Sequence, residues 1–152
     1  MSKTKTYVKA ILIPLLLGAA TGLITQGSMN YSTLQKPALS PPAILFPIVW
    51  SALYILMGVS WGMIELEGER DASLKRLYYI QLGVNLLWPV VFFTLRWRLV
   101  AFFVIILLDV LVAVMILRFS KVKRTAAYLQ IPYMLWILFA TYLNLGVYLL
   151  NR

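Results

Sequence analysis

Residues 81–93 read QLGVNLLWPVVFF, and the run that contains them, Leu77 to Leu95, decides the fold. It carries no charged residue, and at 1.5 Å rise its nineteen residues cross a hydrocarbon core of about 30 Å. Gln81, Asn85 and Trp88 are spaced by four and three, so they project from one face of a helix. A polar face on an apolar helix is either glue between packed helices or the wall of a site. The rest of the chain bears on which.

Four further spans of similar length stand beside it: Thr6–Gln26, Ala43–Ile64, Leu99–Leu117 and Ala126–Leu150. Backbone groups in lipid must bond within their own segment, so these read as helices, and strands of a barrel would be about half as long and alternate in polarity. The expectation is an all-α integral membrane protein, a bundle of five transmembrane helices forming one domain over residues 1–152. Composition agrees. Of 152 residues 62% are hydrophobic and 12% charged, with mean hydropathy +0.85, whereas a soluble domain is about half apolar and a quarter charged. The net charge of +9 then needs no nucleic acid, because basic loops facing anionic headgroups of membrane lipids account for it.

The sequence has no cysteine and no histidine. That excludes disulfides, thiol catalysis, Cys/His zinc sites, histidine ligation of haem and a Ser-His-Asp triad. No metal site and no resident cofactor are expected. The N-terminal stretch has a basic start before an apolar run, as a signal peptide does, but it continues through Ile24 without a clean small-x-small site and reads as a retained helix.

The connections differ in kind. GSMNYSTLQKPALSPP is long, polar and Pro-rich, ELEGERDASLKR is a charged turn, RWR forces a tight hairpin, and RFSKVKR is strongly basic. Lys3, Lys5, Lys9, Arg70, Lys75, Arg76, Arg118, Lys121, Lys123 and Arg124 fall on one side, ten in all, against Lys36, Arg96, Arg98 and Arg152 on the other. The positive-inside rule places the N-terminus in the cytoplasm and the C-terminus outside, with the Pro-rich loop outward, in the cell membrane.

Four of the five spans contain proline (Pro14, Pro47, Pro89, Pro132), which suggests helices that kink and splay around a space. Phe46, Trp50, Tyr54, Met57 and Trp61 follow helical spacing on the second span, as do Pro132, Trp136, Ala140 and Asn144 on the fifth. Trp61 and Trp97 fit interface anchors, whereas Trp50, Trp88 and Trp136 lie deeper and are either packing or ligand wall. Gln81, Asn85, Asn144 and Asp109 are expensive in hydrocarbon and should face protein, water or ligand. Interhelical hydrogen bonds explain the amides, and Asp109 reads as structural. Gly18 with Gly22, and Gly58 with Gly62, form small-xxx-small pairs that permit close helix approach. Leu145, Tyr148 and Arg152 match a proposed sterol-contact pattern, which an ordinary interface belt also explains.

Three segments carry a resemblance: LQKPALSPPAILFPIVWSALYILMG, QLGVNLLWPVVFF and IPYMLWILFATYLN. The chain resembles the translocator protein family, also called tryptophan-rich sensory proteins or peripheral benzodiazepine receptors, and looks like a bacterial member. The resemblance implies a tight five-helix bundle, often a homodimer, with a ligand pocket under the loop between helices 1 and 2. It implies binding of tetrapyrroles such as protoporphyrin IX and of isoquinoline carboxamide or benzodiazepine-type drugs, and a role in light-dependent oxidative porphyrin degradation, with porphyrin as ligand or substrate alongside light and oxygen. By motif match Trp50, Tyr54, Asn85, Trp88, Trp136, Ala140 and Asn144 would line the pocket, shared by helices two, three and five. Trp50 and Trp136 would be the photooxidative pair. The sterol motif departs from the animal form in its GVYLL run, which puts cholesterol in doubt. A transporter of hydrophobic molecules and a ligand-gated regulatory scaffold are the alternatives. No nucleophile with a base, metal cluster or phosphate loop supports a conventional enzyme.

Overall fold

A computed structural model describes residues 2–26, 34–42, 44–68 and 71–151. Helix α1 (Lys3–Gln26) starts where Ser2 caps it, its hydroxyl accepting from the Lys5 N–H at 3.2 Å. α2 (Leu45–Leu66) begins after the Pro-rich loop. α3 (Ala72–Pro89) opens on an Asp71 cap and runs on into one wide π-helical turn, Val90–Thr94. α4 (Arg98–Ser120) follows a three-residue turn, and the last span divides into α5 (Arg124–Leu129) and α6 (Ile131–Asn151). Five spans are long and apolar enough to cross a membrane.

The boundaries correct the expected ones in physically intelligible ways. α3 starts five residues before Leu77, because Lys75 and Arg76 occupy its first solvated turns under the Asp71 cap. The last span breaks at Gln130, since Pro132 has no N–H to bond the Tyr128 carbonyl and its ring crowds that group. Prolines kink less than expected. Pro47 and Pro132 sit in first turns, where the missing N–H has no helical partner to lose. α1 runs unbroken through Pro14. Only Pro89 precedes a change of helix type: Leu95 N–H reaches back five residues to the Val90 carbonyl at 2.9 Å. That wider turn buries three consecutive residues, Val91, Phe92 and Phe93.

The helices close a ring. α1 packs on α2, α2 on α5 and α6, α6 on α4, α4 on α3, and α3 returns to α1. Gly58 sets the α1–α2 contact, because a Cβ there would lie 2.5 Å from the Ala10 carbonyl and the Ile11 Cα. One half of the core stacks Trp61 on Tyr78, with rings 4.8 Å apart and 11° from parallel. Trp61 is therefore buried and is not the interface anchor its position suggested; Trp97, 57% exposed, keeps that character. The other half gathers Trp88, Phe92, Phe93, Ala101 and Ile105.

The described part of the first loop lies along the end of α6. Tyr142 hydroxyl donates to the Ala38 carbonyl at 2.6 Å, and Asn151 Nδ2 donates to the Gln35 carbonyl at 2.7 Å. Pro37 rests on Gly146, where a Cβ would collide with its ring.

Candidate functional site

Between α1, α2 and α3 the structure opens a cavity of about 830 Å³, within the size range of small-molecule sites. α1 contributes a shallow wall, Leu15, Gly18, Ala19 and Gly22, whose spacing of three, one and three keeps small residues on one helix face. α2 contributes Phe46, Pro47, Trp50, Ser51 and Tyr54. α3 contributes Asn85, Trp88, Pro89 and Phe93. Among the described residues no charged side chain lines it. A hollow of aromatic faces with one carboxamide, one phenol and the hydroxyls of Thr21, Thr25 and Ser51 suits a flat, largely apolar guest.

The polar groups are held, not loose. Tyr54 hydroxyl donates to Asn85 Oδ1 at 2.6 Å, Asn85 Nδ2 donates to the Tyr133 hydroxyl at 2.8 Å, and that hydroxyl donates to Gln81 Oε1 at 2.8 Å. Gln81 Nε2 ends the series on the Met57 sulfur at 3.6 Å. One turn along α3, Trp88 Nε1 donates to Asn144 Oδ1, and Asn144 Nδ2 donates to the Arg98 carbonyl, both at 2.8 Å. The face of α3 is thus both things at once. Its amides tie α2, α3 and α6 together, and Asn85 and Trp88 also present surface to the cavity.

Trp50, Tyr54, Asn85 and Trp88 are brought together as expected. Trp136, Ala140 and Asn144 are placed behind the wall instead of on it. Trp136 meets Trp50 nearly perpendicularly, centroids 6.4 Å apart, and Phe46 at 5.9 Å. Ala140 is buried in the core, and Asn144 is fully buried as the acceptor that orients Trp88. The cavity is accordingly shared by helices one, two and three, where helices two, three and five were expected; α6 is screened from it by the Trp50 and Trp88 side chains that it supports. Described loop residues 34–42 do not line it, and residues 27–33 lie outside the described residues. Of the sterol motif, Leu145 and Tyr148 sit on the outer side of α6, and Arg152 lies outside the described residues. The contribution of α1 had a sequence signal, the small residues Gly18, Ala19 and Gly22 on one face. Tyr133 had none, because spacing along one helix does not say what opposes it.

Asp109 is nearly buried, with Oδ2 2.7 Å from the Thr141 hydroxyl, which also lies 2.7 Å from the Ile137 carbonyl. It does not line the cavity. Among the described residues no three His, Cys, Asp or Glu side chains are grouped to hold a metal.

Residues 10–150 match the sequence model of the TspO/MBR family. The chain is 37% identical over 147 residues to tryptophan-rich protein TspO of Archaeoglobus fulgidus, covering 95% of each chain. It is 34% identical over 134 residues to the tryptophan-rich sensory protein of Cereibacter sphaeroides, covering 88% of this chain and 84% of that one. It is 36% identical over 126 residues to the translocator protein of Bos taurus, covering 78% and 73%.

Proposed function

This chain belongs to the TspO/MBR family, and from that premise we propose that its cavity is the receptor site for tetrapyrroles, protoporphyrin IX in particular, and for flat isoquinoline carboxamide or benzodiazepine-type molecules. The protein is a multi-pass membrane protein with a receptor-like role, in keeping with relatives named as sensory and translocator proteins. The observation that carries the finer reading is the cavity itself, about 830 Å³, uncharged among the described residues, with the indoles of Trp50 and Trp88 on its walls. A macrocycle gains from stacking on such faces, and Asn85 and Tyr54 offer polar edges that fix orientation.

The same arrangement supports light-dependent oxidation of a bound porphyrin. An excited porphyrin can take an electron from a nearby indole and pass it to oxygen as superoxide; the radical left on the indoles then takes an electron back from the macrocycle, and superoxide adds to the porphyrin radical so formed, so that one oxygen molecule ends bonded to the ring. Trp50 is in contact range of a guest, and Trp136, edge-on behind it, is placed to refill Trp50. The test compares the wild type with Trp50→Phe/Trp136→Phe during protoporphyrin titration in darkness and then under illumination. The double variant is expected to bind in the dark and to lose light-driven porphyrin loss. Undiminished photodegradation would remove both tryptophans from the mechanism, and absence of dark binding by the wild type would remove the ligand.

A further inference from the structure

The acid at mid-span has a hydrogen-bond geometry that counts its protons. Asp109 stands eleven residues from either end of α4 (Arg98–Ser120), and Thr141, which it meets, ten from either end of α6 (Ile131–Asn151). At 1.5 Å per residue both lie about 15 Å inside the helix ends. Thr141 Oγ1 is 2.7 Å from Asp109 Oδ2 and 2.7 Å from the Ile137 carbonyl oxygen. Each is a full-strength O–H···O distance, and each needs a hydrogen between its two oxygens. A threonine hydroxyl carries one, and a carboxylate or a carbonyl carries none. An ionised Asp109 would leave one of these short contacts as two facing lone pairs. A protonated Asp109 supplies the missing hydrogen: its carboxyl donates to Thr141, and Thr141 donates to Ile137.

The surroundings offer a charge nothing. Asp109 Oδ1 is buried with no hydrogen-bond partner among the described residues. Ile105, Leu108 and Val112, its neighbours along the inner face of α4, are buried and apolar. The bases of α4, Arg98 and Arg118, stand eleven and nine residues away. On the elements packed against α4, Lys75 and Arg76 sit in the first turns of α3 and Arg124 opens α5, while the π turn and α6 contain no charged residue. Tyr133 of α6 is within electrostatic reach, and its hydroxyl is committed to Gln81. A carboxylate without a cation is among the costliest groups a span can carry at this depth, whereas the neutral acid leaves only one carbonyl oxygen unpaired.

We propose that Asp109 is a proton-binding site in the membrane interior, loaded as the carboxylic acid and donating to Thr141 across the α4–α6 contact, and that it is the carboxyl a lipid-soluble carbodiimide modifies. Ile106 and Val110, both exposed, put it at the lipid edge of that contact, the side from which such a reagent arrives. In that reaction the acid proton goes to a carbodiimide nitrogen and the carboxyl oxygen to its central carbon, so the whole reagent is added and nothing leaves.

The experiment treats the purified full chain in detergent at pH 7 with dicyclohexylcarbodiimide, and separately with a cationic, water-soluble carbodiimide, and maps the products by peptide mass spectrometry. A carboxyl in water holds its proton only about one time in a thousand at that pH. The lipid-soluble reagent is therefore expected on Asp109 and not on Glu65, Glu67, Glu69 or Asp71, the four acids where α2 gives way to α3, and the water-soluble one is expected to leave Asp109 unmodified. Infrared spectroscopy gives a readout on the unsubstituted chain. Asp71 and Asp109 are the two aspartates of the sequence, and Asp71 is ion-paired with Arg118 at an exposed position. One carboxylic-acid carbonyl band is expected to shift when aspartate is labelled with carbon-13 at its side-chain carboxyl. That band should rise in frequency in Thr141→Val, which keeps the shape of the side chain and removes the acceptor. Loading by dicyclohexylcarbodiimide no greater on Asp109 than on the other four acids, the absence of an aspartate-sensitive acid band, or a band that Thr141→Val leaves in place would overturn the proton site.

Discussion

One hydroxyl at the middle of the bundle serves two helical neighbours. Tyr133 is fully buried, accepts from Asn85 and donates to Gln81, so Tyr133→Phe leaves an amide N–H and an amide oxygen unpaired. In soluble interiors each such group costs about 1–3 kcal/mol, while hydrogen bonds between membrane helices average about 0.6 kcal/mol, because the separated helices find other partners. The membrane figure governs here, and about 1–2 kcal/mol in total is the expected loss, read as a lowered unfolding midpoint in detergent. A midpoint unchanged in Tyr133→Phe would mean that Gln81 and Asn85 satisfy each other without it. Ligand affinity should change little, since Tyr133 does not line the cavity and its ring contact with Trp50 survives in Phe. At this scale the sequence was half legible. The spacing of Gln81, Asn85 and Trp88 did give one face, and Trp50, Tyr54, Asn85 and Trp88 do meet at one cavity. What spacing withheld was the partner across the gap: Asn144 reads as a wall residue in its helical row but is spent on holding Trp88.

Among the elements, α1 carries no polar side chain larger than threonine beyond Lys9 until its last residue, Gln26, and yet forms one side of the cavity. Gly58, from the small-residue pair on α2, and Gly22, from the pair on α1, differ in what they face. A Cβ on Gly58 would strike α1 backbone, which cannot yield cheaply, whereas a Cβ on Gly22 meets nothing within 4 Å and points at the cavity side of α1. Gly58→Ala is expected to part α1 from α2 and destabilise the fold by about 1–3 kcal/mol, the usual range for overpacking. Gly22→Leu should fold normally and abolish porphyrin binding by occupying the cavity. Tight binding by Gly22→Leu would show that the guest sits elsewhere. The start of α3 carries a pH dependence. The Ser73 hydroxyl and then the Ser73 N–H hold the Asp71 carboxyl below its usual range, with Arg118 adding attraction. A depressed carboxylate stabilises fully above its unfolded value of about 3.9 and less as pH falls through the folded value. Asn is itself a good cap, so the stability gap between wild type and Asp71→Asn reports the charge and should shrink on acidification below about pH 4. A gap constant from pH 7 to 3 would refute that assignment. Helix existence was readable from hydropathy, whereas the π turn after Pro89 and the break at Gln130 were not, since both depend on which carbonyls a proline leaves unmatched.

For the whole molecule, hydropathy counts the spans but not their order around the ring. Nothing in a 3.6-residue period tells α3 that α1 is its neighbour and that α6 stands behind the wall, which is why the cavity was expected one helix away from where it lies. Orientation is a different kind of property, set by charge and not by packing. An odd number of spans would put the two termini on opposite faces of the membrane, and on the positive-inside rule we propose that the ten-to-four division of Lys and Arg keeps the N-terminus in the cytoplasm. The bias is spread over three segments. Replacing Lys3, Lys5 and Lys9 with Gln reduces ten by three, and the remaining seven, around the starts of α3 and α5, still exceed four. The orientation is therefore expected to survive that triple substitution. Alkaline phosphatase fused after α6 should be active in both chains, and a fluorescent protein fused there dark, because the first matures only outside the cytoplasm and the second, exported unfolded, only inside. Inversion by the triple substitution would give the first helix control of topology over the loops. An inactive phosphatase on the unmodified chain would mean that the counted loops do not set its direction at all.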